Sequence, residues 1–142
     1  MIKSENPYDP DDLVLELEAP GAEQVSDVVS QAVAAGGSWA GDALLRSRSL
    51  SELESSVAAR RDEFVELMVR EVGKPLPEAQ GELDRALAIL RYYSQVALDA
   101  NGSTYPGSTP GAQVVVRRAP LGVVLAICPW NFPLAIPVWK VA

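Results

Sequence analysis

The stretch from Ala119 to Trp139 carries no charged side chain and is about as long as a membrane-crossing helix. Pro120, Pro129, Pro133 and Pro137 interrupt it, and Asn131 lies between the two middle prolines. Each interior proline removes a helical hydrogen bond and drives its ring against the preceding turn. Broken backbone facing lipid would leave polar groups unpaired, so the stretch is not read as a membrane span. It reads instead as a buried strand, Val123 to Cys128, running into a turn stiffened by Pro129 and Pro133. Continuous apolar runs of this kind belong to strands covered on both faces.

Upstream of this stretch the pattern is helical. Val25, Val28, Val29, Ala32 and Val33 recur at helical spacing after Pro20-Gly21 and predict a short amphipathic helix that stops at Gly36-Gly37. A second helix is expected from about Ser49, with Leu50, Leu53 and Val57 as its apolar stripe. From Asp62 a third segment turns Phe64, Val65, Leu67, Met68 and Val72 inward and ends at Gly73 before Pro75; the periodicity leaves open whether these two are one helix or two. The fourth helix has Pro77 near its start and Ala79, Leu83, Ala86, Leu87 and Leu90 along one face. Glu78, Glu82, Asp84, Arg85 and Arg91 are expected on its solvated face. Asn101 to Gly111 is rich in Gly, Pro, Ser and Thr and reads as turns or an extended connection, followed by the β-branched run from Gln113. A new apolar segment begins near Leu134 and reaches Ala142 without a cap or a polar stop, as if the chain ended inside an element.

Composition removes several classes of function. A net charge of -7 with scattered Lys and Arg is unsuited to a nucleic-acid backbone. With no histidine and one cysteine, Cys128, neither a His/Cys metal site nor an internal disulfide is expected. The polar, acidic start of the chain is unlike a secretory signal, so a cytoplasmic protein is expected. The chain's length and its 48% hydrophobic content suit one domain.

Chemistry concentrates after the expected strand, in Pro129-Trp130-Asn131-Phe132-Pro133. In open α/β sheets, ligands bind at the carboxyl edge of the strands, where this turn would lie. The motif resembles the signature of the NAD(P)-dependent aldehyde dehydrogenase superfamily. Glu71-Val72-Gly73-Lys74-Pro75 resembles the turn after that family's early helix, and Glu82-Leu83-Asp84-Arg85 through Arg91-Tyr92-Tyr93 its next helix. Arg117-Arg118-Ala119-Pro120-Leu121-Gly122 resembles the approach to the first strand of its nucleotide-binding sheet. The matches cover nearly the whole chain in the family's order.

The resemblance implies an α/β fold class: N-terminal helices plus the first strand or strands of an aldehyde dehydrogenase Rossmann-like cofactor domain, incomplete within these residues. Residues 1–104 would be the N-terminal helical part of that domain. Residues 105–120 would be an extended segment resembling its oligomerisation strands, and 121–142 the first strand and turn of the sheet. The implied partners are an aldehyde substrate and further copies of the chain, with no nucleic acid and no membrane. The cofactor would be NAD or NADP, lying along Ile127, Cys128, Pro129 and Trp130. No G-x-G-x-x-G phosphate loop occurs.

Asn131 matches the family's oxyanion-hole asparagine, whose amide N–H₂ stabilises a negative oxygen without giving up a proton. Taken alone, an asparagine between tryptophan and Phe-Pro reads rather as satisfying backbone groups in a turn; with the surrounding match the oxyanion role is the expectation. Lys140, after Trp139, aligns with a family lysine near the active site; a surface lysine on a helix is the competing reading. Cys128 is expected to be a strand hydrophobe and not the nucleophile. The family's nucleophilic cysteine and water-activating glutamate fall beyond the matched residues, so the chain by itself is expected to be inactive. A rival reading is a non-catalytic remnant or a fragment that binds intact subunits. Gly102-Ser103-Thr104-Tyr105-Pro106 with Ala135-Ile136-Pro137-Val138-Trp139-Lys140 resembles bacterial semialdehyde dehydrogenases, including those acting on 2-oxoglutarate semialdehyde.

Overall fold

Gly73 adopts φ 69°, the left-handed conformation that glycine takes without strain, and stops one helix so that the next can run back against it. Around this reversal the computed structural model, which describes residues 1–142, builds its core. In chain order the elements are β1 (Ile2–Asn6), β2 (Asp9–Leu17), α1 (Ala22–Gly41), α2 (Ala43–Ala59), α3 (Arg61–Val72), α4 (Leu76–Val96), β3 (Gly102–Pro106), β4 (Gln113–Arg117) and α5 (Ala135–Val141). The chain is α/β, as the resemblance implied.

The core lies between α2, α3 and α4, where Val57, Val65, Met68, Ala79, Leu83 and Leu87 form one buried cluster. All five residues expected on the inner face of α4 are buried. Pro77 sits in its first turn, where a missing N–H costs nothing. The second and third segments are two helices, parted at Arg60. α2 also begins earlier than its stripe suggested, because the Asp42 carboxylate accepts from the Leu45 N–H at 2.9 Å and caps it there.

Four expectations fail here. Leu67, expected to face inward on α3, is 41% exposed. α1 does not stop at Gly36-Gly37 but continues to Gly41. The Arg46 guanidinium, reaching back from α2, bonds the carbonyls of Trp39 at 2.6 Å and Ala40 at 3.1 Å and satisfies the last turn. None of its residues is buried, so the valine stripe faces open space within these residues. Glu82, assigned to the solvated face of α4, is buried. Val123 to Cys128 forms no strand: it is irregular and largely exposed, since no segment of the chain lies alongside to complete a ladder.

The strands instead form two antiparallel hairpins. β3 pairs with β4 in the register Gly102↔Arg117 to Pro106↔Gln113, and all of its residues are exposed. A Cβ at Gly102 would lie 2.0 Å from the Val116 carbonyl oxygen, which is why that position takes no side chain. The hairpin of β1 and β2 was not foreseen, although Leu13, Leu15 and Leu17 alternate as a strand requires. It docks on the end of α3. Arg70 holds Asp12 by bonds of 2.6 and 3.1 Å, the Tyr8 hydroxyl bonds the Gly73 carbonyl at 3.2 Å, and the Ser4 hydroxyl bonds Glu71 at 3.1 Å. No helix is long and apolar enough to cross a membrane.

Leu83 is wholly buried, and Leu83→Ala should lower unfolding stability by about 2–5 kcal/mol, read from urea denaturation. The hydrogen bonds from Arg70 and then Asn6 hold the Asp12 carboxyl below its usual range. The docking contact is therefore complete above about pH 3.9 and lost as pH falls through the lowered value. The proton resonances of Tyr8 should move on acidification toward those of Asp12→Asn, which lacks the charge at every pH.

Candidate active site

Immediately after Gly73, the chain delivers Lys74 into the interior, where its side chain is 8% exposed. Its ammonium forms an ion pair with Glu82, one turn and more along α4, whose side chain is 1% exposed. Charges this deeply buried are tolerated only when every donor and lone pair finds a partner. Here the partners come from the turn that follows Trp130. Lys74 Nζ donates to the backbone carbonyl of Asn131 at 2.8 Å. Glu82 Oε1 accepts from the backbone N–H of Leu134 at 2.9 Å and of Ala135 at 3.0 Å. Those two N–H groups open α5 and have no partner inside the helix, and a carboxylate is the favoured group at that end. The ammonium also lies 4.4 Å from the centre of the Phe132 ring. No buried side-chain polar atom is left without a partner.

Asn131 is therefore gripped through its backbone. Its carboxamide is exposed and enters no hydrogen bond of the turn, so the side chain is not consumed in closing it. Ile127 and Trp130 are 88% and 78% exposed, Pro129 is exposed and Cys128 is half-buried. Cys128, Pro129, Trp130, Pro133 and Pro137 line one side of an open cleft of about 510 Å³, with Ser4, Pro7, Glu71 and Val72 opposite. A larger hollow of about 890 Å³ lies between α1 and Arg118 to Val124, and none of the residues expected to carry chemistry lines it. Lys140 is exposed on α5 and makes no ion pair. α5 is fastened near it by the Trp139 indole, which donates to the Tyr93 hydroxyl at 3.2 Å.

The structure thus brings Asn131 together with two residues that the sequence reading left without a role. Lys74 stood within a quoted motif. Glu82 carried a usable signal: it falls between Ala79 and Leu83 at helical spacing from both Ala79 and Ala86, which puts it on the buried face of α4.

With this geometry in place the comparisons are direct. The sequence model of the aldehyde dehydrogenase family matches residues 1–142, and the chain belongs to that family. It is 40% identical over 143 residues to the alpha-ketoglutaric semialdehyde dehydrogenase of Bacillus subtilis, covering 100% of this chain and 29% of that protein. It is 38% identical over 138 residues to the alpha-ketoglutarate semialdehyde dehydrogenase of Haloferax volcanii, covering 96% of this chain and 29% of that protein. The crystal structure of the NADP-dependent glyceraldehyde-3-phosphate dehydrogenase of Bacillus halodurans, complexed with NADP, superposes with a TM-score of 0.85. That match has 31% identity and covers 96% of this chain and 30% of that one. The chain thus spans less than a third of the length of these relatives.

Removing one member of the buried pair leaves the other charge bare. Lys74→Met should cost about 3–5 kcal/mol of stability by urea denaturation. Adding Glu82→Gln, which keeps an acceptor for the Leu134 and Ala135 N–H groups, should recover part of that loss.

Proposed function

We propose that the chain serves in the NAD(P)-dependent oxidation of a semialdehyde to a carboxylic acid, and that its own part is to hold the oxyanion. The observation that carries this reading is Asn131, held by its backbone with its carboxamide left exposed. When a thiolate adds to the aldehyde carbon, the carbonyl oxygen becomes negative. A fixed amide N–H₂ lowers the energy of that charge without transferring a proton. The thiolate and the base that activates water come from residues outside those matched here.

The apolar side chains of Ile127 and Trp130 suit one face of a nicotinamide dinucleotide. Ile127, Cys128, Pro129 and Trp130 would line it. When bound, the cofactor accepts the hydride, and either NAD or NADP fits this segment. Lys140 is assigned a place beside the same site on α5. The names of the Bacillus subtilis and Haloferax volcanii relatives support 2-oxoglutarate semialdehyde as substrate. The β3–β4 hairpin, exposed throughout, supports assembly with further copies of the chain.

The test is nicotinamide reduction by the protein expressed from its complete reading frame. 2-Oxoglutarate semialdehyde should give a higher kcat/KM than apolar aldehydes of similar length. Asn131→Ala should lower kcat by about 10²–10³-fold. Full turnover in Asn131→Ala would overturn the assigned role, and no aldehyde-dependent reduction at all would overturn the activity.

A further inference from the structure

We propose that Lys74 and Glu82 are positioning residues for the oxyanion-holding turn: the pair grips the turn on both sides of Phe132-Pro133 and presets the direction of the Asn131 carboxamide. This rests on the reading of Asn131 given above and adds the device that would make it effective. Lys74 reaches the carbonyl of Asn131 itself, at 2.8 Å. Glu82 reaches the N–H groups of Leu134 and Ala135, at 2.9 and 3.0 Å. The two side chains are ion-paired with each other, so neither end of the turn moves without disturbing the other. Both are anchored at their bases. Lys74 follows the left-handed Gly73, whose carbonyl accepts from Tyr8, and Glu82 sits among the buried residues of α4.

A carboxamide acts on an oxyanion only when its N–H points at the developing charge, and a displacement of about 1 Å can cost on the order of 10²-fold in rate. The exposed Asn131 side chain has no bond of its own in the turn to set that direction. Its backbone is the only handle, and Lys74 holds the nearest atom of that handle. Glu82 is also the only carboxylate bonded to the start of α5, so it fixes where the turn ends. Neither residue is exposed enough to touch substrate. Their effect must therefore travel through Asn131.

The experiment is a double-mutant cycle on the protein expressed from its complete reading frame, with 2-oxoglutarate semialdehyde and NAD+. Rates are normalised to folded protein. Glu82→Gln and Lys74→Met should each lower kcat by about 10–100-fold. The Kd for NAD+ should change no more than about threefold, and Lys74→Arg should restore part of kcat. In an Asn131→Ala background the same substitutions should cause no further fall, because the group they position is gone. Unchanged kcat per folded molecule in the single variants would reduce the pair to a stabilising role and overturn the proposal. So would an equal loss in both backgrounds, which would leave the oxyanion reading intact. Full activity in Asn131→Ala would overturn that reading itself. If neither single variant folds, Lys74→Met/Glu82→Gln, which leaves no bare charge, carries the same comparison.

Discussion

The ion pair of Lys74 and Glu82 joins the reversal after α3 and the second turn of α4 to the distant turn before α5. A buried pair is weak evidence for stability, because taking both charges out of water costs about as much as their attraction returns. Its value here lies in what its remaining valences hold. Apolar contact between α4 and α5 would leave the turn free to slide by fractions of an ångström. Two charged groups bonded to three backbone atoms permit one arrangement. Replacing them by well-packed aliphatic side chains could preserve the fold and lose that definition.

The hairpin at the chain's start contributes to the same centre from outside. Tyr8 bonds the Gly73 carbonyl, and a Cβ at Gly73 would lie 2.7 Å from Pro7 and 3.0 Å from the Tyr8 ring. The glycine is thus required twice, once for its backbone angle and once for the approach of β1 and β2. Arg70 and Asp12 keep the hairpin against α3. Lys74 therefore emerges from a corner enclosed by two neighbours, and its stem has little freedom before it reaches Glu82.

Much of this was legible in the residues. The apolar stripe of α4, the stop at Gly73 before Pro75 and the turn around Asn131 each carry a local signal that no distant contact overrides. What was not legible depended on distant partners. α1 passes Gly36-Gly37 because Arg46, from another helix, satisfies its last carbonyls. Charge placed Glu82 on the surface, and only its position relative to Ala79, Leu83 and Ala86 contradicts that. Val123 to Cys128 has the composition of a buried strand, but composition cannot provide the neighbours that a ladder needs. The first hairpin was overlooked because its strands are mostly polar, although the leucines of β2 alternate.

Every side-chain bond that holds the Asn131 turn comes from a residue upstream of it, and this bears on the order in which the protein takes shape. Fifty-two residues separate Glu82 from Leu134. Translation at about 5–20 residues per second adds that length in a few seconds, far longer than helices need to form and collapse on one another. The receptacle of α3, α4 and the buried pair is thus finished before the ribosome supplies the segment that fills it. In the interval Lys74 and Glu82 neutralise one another in a half-built interior, and the arriving turn then takes up their remaining bonds.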